Sequence, residues 1–170
     1  MKKQLLSLGF VFAAMLLAQS TTAQIDYSED FEGNINWAGS EFFSTNNLPC
    51  EGDTSYLSDI HGGFVSNSAD ITVSPSLGTS NGSQLTFSYK YKILDSQSGL
   101  PSIPDEWGGI IVSWGTSPSG PWTTLETINS GNHVESADCA ERTLTFTPAS
   151  GSQVYVRFNT VLNNIMGFYH

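Results

Sequence analysis

Polar and apolar residues alternate with a period of two along several short stretches of this chain. The clearest stretch is residues 83–94, whose apolar face is formed by Leu85, Phe87, Tyr89, Tyr91 and Ile93. The opposite face is polar and carries Thr86, Ser88, Lys90 and Lys92. Such alternation is typical of a half-buried antiparallel strand. We therefore predict a strand whose apolar set points into the core.

Further strands are predicted from the same pattern. Residues 107–114 align Ile110, Val112 and Trp114 on one face. Residues 142–147 and 153–159 repeat the alternation. Weaker alternation predicts strands at residues 25–31, 56–60, 70–73 and 123–128.

The spacing of these strands predicts the fold class. No convincing amphipathic helix follows residue 24, and turn-forming residues such as Asn81 and Gly82 separate the strands. About eight short strands without crossover helices indicate an all-β fold, an antiparallel β-sandwich. Jelly-roll topology fits best, and we predict one such domain over residues 24–170.

The first 23 residues have the layout of a signal peptide. Lys2 and Lys3 precede an apolar run at residues 5–18, and small residues end at Ala23. The apolar run is too short to span a bilayer, which favours cleavage after Ala23 over a retained anchor. We therefore predict a secreted or cell-surface protein with no membrane insertion after cleavage.

The charge balance narrows the classes of partner. The chain has 16 acidic and 6 basic residues, and its formal net charge is −10 at neutral pH. This acidity disfavours nucleic acid and anionic membrane surfaces as partners. It suits cations, although acidity also keeps exported proteins soluble.

Two cysteines, Cys50 and Cys139, are present in the whole sequence. In an exported chain such a pair usually forms one disulfide, so we predict a Cys50–Cys139 bond. A zinc site is not indicated, because the cysteines lack the spacing of zinc ligands and no histidine lies at a suitable interval.

Several short motifs follow one another along the chain. They are DFE at 30–32, NW at 36–37, PCEGD at 49–53, VSPSLG at 73–78, LTFSYKYKI at 85–93, IVSW at 111–114, PWTTL at 121–125, NHV at 132–134 and VRFN at 156–159. In this order they resemble the jelly-roll modules of secreted Bacteroidetes proteins that are related to MAM-like and cleaved-adhesin domains.

That resemblance implies extracellular binding or adhesion, often in chains exported by type IX secretion. It also implies a final strand that faces the motif at Phe31 and Glu32. The chain ends at residues 167–170, where that strand should begin. The resemblance therefore suggests a domain whose C-terminal strand is missing and whose neighbouring strand has an unpaired edge.

Calcium is the cofactor that the acidic residues suggest. Asp26, Asp30 and Glu32 would share one side of the first predicted strand, and hard cations need several converging oxygen ligands. In jelly rolls of the type that this chain resembles, the first strand often contributes to a calcium site. Solvation of an exposed strand edge is the alternative interpretation. The turn at residues 51–53 is a second calcium candidate.

A ligand-binding site is suggested at the long loop of residues 95–106. Trp107 adjoins this loop beside Asp105 and Glu106. An aromatic ring next to two acids is suited to a sugar face and its hydroxyl groups. The alternative is that these residues have no ligand.

No catalytic motif is recognised. The sequence contains no Gly-x-Ser-x-Gly elbow, His-Glu-x-x-His motif, phosphate loop or dinucleotide fingerprint. We therefore predict a non-catalytic module that binds an extracellular glycan or protein. The alternatives are an accessory, carbohydrate-binding-like domain of a secreted hydrolase whose catalytic part is absent from this chain, and a purely structural surface repeat.

Overall fold

A computed structural model contains all 170 residues, and the description below covers residues 24–39, 41–46, 49–58, 60–61, 69–94, 98–101, 108–162 and 168–169. These residues form β-strands and no helix, which confirms the all-β prediction. The strands are β1 Ala38–Gly39, β2 Phe42–Thr45, β3 Ser55–Ser58, β4 Ile60–His61, β5 Ala69–Val73, β6 Gly78–Thr79, β7 Leu85–Tyr91, β8 Gly108–Gly115, β9 Trp122–Ile128, β10 Ala140–Phe146, β11 Gln153–Leu162 and β12 Phe168–Tyr169.

The larger sheet is antiparallel and is centred on β11. Its strand order is β1-β5-β11-β8-β9, and β6 pairs with the start of β11. β11 is the longest strand, with ten residues, and it pairs with β8 on one side and β5 on the other. One face of this sheet carries Val112, Val154 and Val156, whose side chains are completely buried. That face forms the floor of the core.

The smaller layer contains β7 and β10, which pair antiparallel from Leu85 opposite Phe146 to Tyr91 opposite Ala140. The apolar face predicted for β7 points inward. Leu85 and Ile93 are buried, and the three aromatic residues between them are half-buried. Thr86, Ser88 and Lys90 are exposed. The predicted register of β7 is therefore confirmed.

Two apolar clusters join the layers. Leu85 of β7 packs with Phe146 of β10 and Val154 of β11, and Trp114 lies against this group. The rings of Trp114 and Phe146 stack with their centroids 5.0 Å apart. Ile93 packs with Ile128 at the other end of the sandwich. The predicted inward face of β8 is confirmed by these contacts.

Strands β2 and β3 form a second antiparallel pair, which Ser58 connects to the larger sheet. Ser58, at the end of β3, donates its hydroxyl to Asp70 Oδ2 at 2.7 Å and lies 3.1 Å from Thr160 Oγ1. Asp70 and Thr160 face each other on β5 and β11. The two layers make an antiparallel β-sandwich, and jelly-roll connectivity within it stays a prediction.

The strand predicted at residues 25–31 does not form, because residues 24–30 belong to no ladder. A strand needs a hydrogen-bonded neighbour, and local alternation cannot show whether one exists. Conversely β1, β2, β6 and β12 have too few residues for alternation to reveal them. The predicted strand at residues 56–60 is observed as β3 and β4, with residue 59 outside the described residues. The predicted signal peptide also lies outside them.

The Cys50–Cys139 disulfide is present, with the two Cα atoms 5.6 Å apart. It connects the segment before β3 to the residue that precedes β10. Lys90 of β7 pairs with Glu51 beside this bond, and Lys92 Nζ donates to the carbonyl of Pro49 at 3.5 Å. Residues 49–51 are thus attached to both strands of the β7–β10 pair.

We expect Ile128→Ala to reduce the free energy of unfolding by about 2–5 kcal/mol. The Ile128 side chain has no solvent exposure, so its truncation leaves a cavity in the core. Ile71→Ala is the matched control, since Ile71 is 40% exposed, and it should change stability by less than about 0.5 kcal/mol. Denaturant titration measures both. Equal losses in the two variants would contradict the assignment of the core face.

We expect the double variant Cys50→Ser, Cys139→Ser to be less stable by up to about 4–5 kcal/mol, because the bond closes a loop with a sequence separation of 89 residues. Denaturant titration of the variant and of the oxidised protein gives the difference. The reduced wild-type protein serves as control and should match the variant. An unchanged unfolding midpoint would show that the bond does not restrict the unfolded chain.

Candidate binding groove

A groove with a volume of about 730 Å³ lies between the two layers. Every residue of 85–94 borders it, so β7 contributes its edge as well as its inward face. The opposite wall is formed by most of residues 24–32 and by residues 54–58. The floor belongs to the larger sheet and includes Thr72, Val154, Phe158 and Thr160.

Aromatic rings line much of this groove. Phe158 of β11 lies at their centre, and its ring centroid is 5.9 Å from that of Trp37, 6.2 Å from Phe87 and 5.2 Å from Tyr89. Phe31 continues the cluster toward β3, stacking on Tyr56 at 5.2 Å. The cluster therefore extends from β7 across the floor to the far wall, and it presents ring faces and edges to whatever enters.

The backbone of Phe31 shapes the far wall. Its φ is +60°, a left-handed conformation that costs a bulky residue about 1–3 kcal/mol. Two contacts hold it there: Glu29 Oε1 accepts from the Phe31 amide at 2.9 Å, and Thr54 Oγ1 donates to the Phe31 carbonyl at 2.6 Å. This conformation ends any extended strand at residue 31.

Glu32 then fixes the wall to the turn before β3. Its Oε1 accepts from the backbone amides of Asp53 at 2.6 Å and Thr54 at 2.9 Å. Gly52 has a φ of +63°, and a Cβ atom at this position would collide with the Glu32 carboxylate. The glycine therefore leaves the space that the carboxylate occupies. This contact spans more than 20 residues, and the sequence did not predict it.

The residues proposed for calcium do not share one strand side. Asp26 is exposed, Asp30 Oδ1 accepts from the Glu32 amide at 3.1 Å, and Glu32 bonds to the 52–54 turn. The alternation assumed for them was wrong, because residues 24–30 form no strand. Within the described part of the chain, no group of three or more acidic, histidine or cysteine side chains is placed to hold a metal ion. Calcium binding stays a prediction without geometric support.

The second predicted ligand site cannot be compared with the structure, because Asp105, Glu106 and Trp107 lie outside the described residues. The groove's aromatic residues Phe87 and Tyr89 were predicted only as core. Residues 25–31, on the opposite wall, alternate between apolar and polar residues. That alternation does not distinguish a segment that lines a groove from a strand that is paired in a sheet.

A polar network closes the end of the sandwich beside Ile93. Tyr89 donates its hydroxyl to Glu126 Oε2 at 2.9 Å, and burial followed by this carboxylate raises the pKa of Tyr89. Arg142 lies 3.6 Å from the other Glu126 oxygen and donates to Tyr91 at 3.3 Å. The Tyr91 hydroxyl is in turn 3.1 Å from His133 Nδ1. The network links β7, β9 and β10 to the loop that follows β9.

His133 is 7% exposed in this network. Burial, followed by the positive charge of Arg142, lowers the pKa of His133, and Glu135 acts in the opposite direction. The histidine is therefore favoured in its neutral form. Cys139, six residues further along the chain, is in the disulfide and therefore has no free thiol.

No protein-family model and no curated protein matches this chain in sequence. The resemblance to secreted jelly-roll modules therefore stays a prediction that rests on the motifs themselves. Within the part of the chain that the structure describes, no helix is long and apolar enough to cross a membrane. The groove is consequently the main basis for a functional proposal.

We expect the stability contributed by His133 to be complete above about pH 6.5 and to decline as the pH falls toward its lowered folded-state pKa. The reason is that the unfolded chain then binds a proton that the folded chain resists. His133→Gln should flatten the dependence of unfolding free energy on pH as the pH falls below about 6.5. Denaturant titrations of both proteins at several pH values measure this dependence. The contribution of the carboxylates is common to both proteins and cancels in the difference. Identical slopes would contradict the prediction.

Proposed function

We propose that this chain is a non-catalytic binding module of the exported, adhesion-associated kind. Its ligand is an extracellular glycan or protein, held in the groove between the two layers. The observation that carries this proposal is the aromatic groove itself, whose volume of about 730 Å³ lies in the range of protein ligand sites.

The composition of the groove supports binding. Ligand sites are mostly apolar and aromatic, with a few polar groups that fix orientation. The rings of Trp37, Phe87 and Phe158 supply the apolar area, and Tyr27 stands at the rim with 37% exposure. The Tyr27 hydroxyl accepts from Trp37 Nε1 at 3.3 Å and donates to Glu29 at 3.2 Å. The Tyr27 ring is therefore held in position before a ligand arrives.

The shape of the groove favours an extended ligand. The β7 wall has seven strand residues, which correspond to about 23 Å at the usual rise per residue. A glycan would use the ring faces, whereas a polypeptide would also use backbone groups along the β7 edge. This additional set of partners makes a protein segment the better-supported ligand.

The hydrogen bonds of the rim acids support a binding role over a catalytic one. Glu29 and Glu32 each accept hydrogen bonds from backbone amides, and Glu29 also accepts from Tyr27. These carboxylates hold the wall in place. A pair of catalytic carboxylates would instead face each other across a cleft at a distance suited to the reaction.

We expect Tyr27→Ala to weaken ligand binding at least about fivefold, because tyrosine is among the residue types whose truncation at a binding site most often costs about 1 kcal/mol or more. The probes are short oligosaccharides of glucose, xylose and mannose and a set of extended synthetic peptides, measured by calorimetry. Phe43→Ala is the matched control, since Phe43 is 47% exposed and does not line the groove. It should bind as the wild type does.

Equal affinity of Tyr27→Ala and wild type for every bound probe would place the ligand elsewhere. No binding of any probe in either class would also count against the proposal. Melting curves of both variants verify that they remain folded.

A further inference from the structure

We propose that the groove accepts an extended peptide from another polypeptide, which pairs with the free edge of β7 and adds a strand to the β7–β10 pair. The inference rests on the proposed function and specifies the ligand class. The peptide alternates apolar side chains, which point to the aromatic floor, with polar and basic side chains, which point to solvent.

The first support is the free edge of β7. Within the described residues β7 pairs with β10 alone, although it has seven residues and extended geometry. A strand with one paired side presents a row of backbone donors and acceptors on the other. Both the inward and the outward residues of β7 border the groove, which is expected when the edge itself faces it. The side of β7 that β10 leaves unpaired therefore lies next to the cavity.

The second support is the far wall. Most of residues 24–32 line the groove opposite β7. The N-terminal end of this wall is close to the start of β7, where Gln24 Nε2 donates to the Gln84 carbonyl at 3.4 Å. Its other end is fixed at Thr54 by Phe31 and Glu32. The alternating sequence of residues 25–31 suits a strand, yet these residues have no ladder partner. One peptide between the walls would bring a backbone partner within reach of both.

The floor determines which side chains the peptide carries inward. Phe158, which is half-buried, and Thr160 occupy alternate positions on one face of β11 beneath the groove. Side chains of an added strand alternate between the two faces of its sheet. Every second residue of the peptide would therefore contact this floor, which suits Val or Ile at those positions.

Charge determines the outward side chains. The described groove lining includes the carboxylates of Glu29, Asp30, Glu32, Glu51 and Glu141. The basic side chains of that lining are Lys90 and Lys92, and Lys90 is paired with Glu51. The whole chain is also strongly acidic. A peptide with Lys at outward positions complements this rim, and the pairing should weaken as salt is raised.

The test uses a synthetic nine-residue peptide with Val at every second position and Lys or Thr at the others. A block peptide of identical composition, with its Val residues consecutive, is the control for charge alone. We expect the alternating peptide to bind the full chain at least about tenfold more tightly. Hydrogen exchange of the β7 amides should slow when it binds, because strand addition gives them new partners.

Backbone methylation makes the test specific for strand pairing. Two versions of the peptide carry N-methyl groups at either the odd or the even positions. Alternate amides of a strand point to opposite sides, so pairing with β7 alone requires that one version loses binding and the other retains it. Loss in both versions means pairing with both walls and also supports strand addition. Full binding by both versions overturns it.

A rim variant tests the charge argument. Asp30→Asn keeps the oxygen that accepts from the Glu32 amide but removes a charge, and it should weaken the Lys-bearing peptide by about two- to fivefold. Asp138→Asn is the matched control, since Asp138 is exposed and does not line the groove. Equal effects of the two variants would contradict a basic ligand at this rim.

The remaining outcomes separate this inference from the proposed function. Equal binding of the block peptide means adsorption by charge and overturns strand addition. Oligosaccharide binding that depends on Tyr27, without peptide binding, overturns strand addition and leaves the proposed function standing. If hydrogen exchange of the β7 amides slows as the protein concentration rises in the absence of peptide, a second copy of the chain occupies the groove. That outcome also overturns the proposed peptide ligand. Failure of both probe classes removes the proposed function as well.

Discussion

The packing of β7 across β11 is the contact on which the rest of the structure depends. β11 is the central strand of the larger sheet, and its buried face meets the aromatic face of β7 through Phe158. This contact holds the two layers at a fixed separation. Within the described residues the β7–β10 pair and the β2–β3 pair are separate from each other, and the groove lies between them and the larger sheet.

Alternation of apolar and polar residues predicted those strands in which the apolar positions form the inward face. The inward sets of β7 and β8 were identified correctly. In β7 each residue's exposure follows its parity along the strand, whereas β8 is covered on both faces and its inward set is identified by its contacts in the core. Residues 25–31 alternate just as well but form no strand. Whether a segment joins a ladder depends on a neighbour that is distant in sequence, and the left-handed backbone at Phe31 depends on Glu29 and Thr54.

The candidate site was less predictable than the fold for the same reason. Asp26, Asp30 and Glu32 were singled out as cation ligands because alternation would place them on one side of a predicted strand. In the structure the Glu32 carboxylate instead accepts amide hydrogens from a turn more than 20 residues away, in space left by Gly52. The aromatic rings were assigned to the core from their parity. Parity gives the face of a strand on which a ring lies, but it does not show whether the opposing layer covers that ring.

The edge of β7 that has no partner strand among the described residues is a potential site of aggregation. Exposed edges pair indiscriminately, and proteins commonly protect them with lysine side chains. β7 and the residue after it carry Lys90 and Lys92, but both are drawn toward residues 49–51, which the disulfide attaches beside β10. The edge facing the groove is therefore protected mainly by its recessed position between two walls. A recessed edge is less accessible to a flat sheet edge of another molecule than to a single strand, so the geometry that limits aggregation is also the geometry that the proposed extended peptide requires.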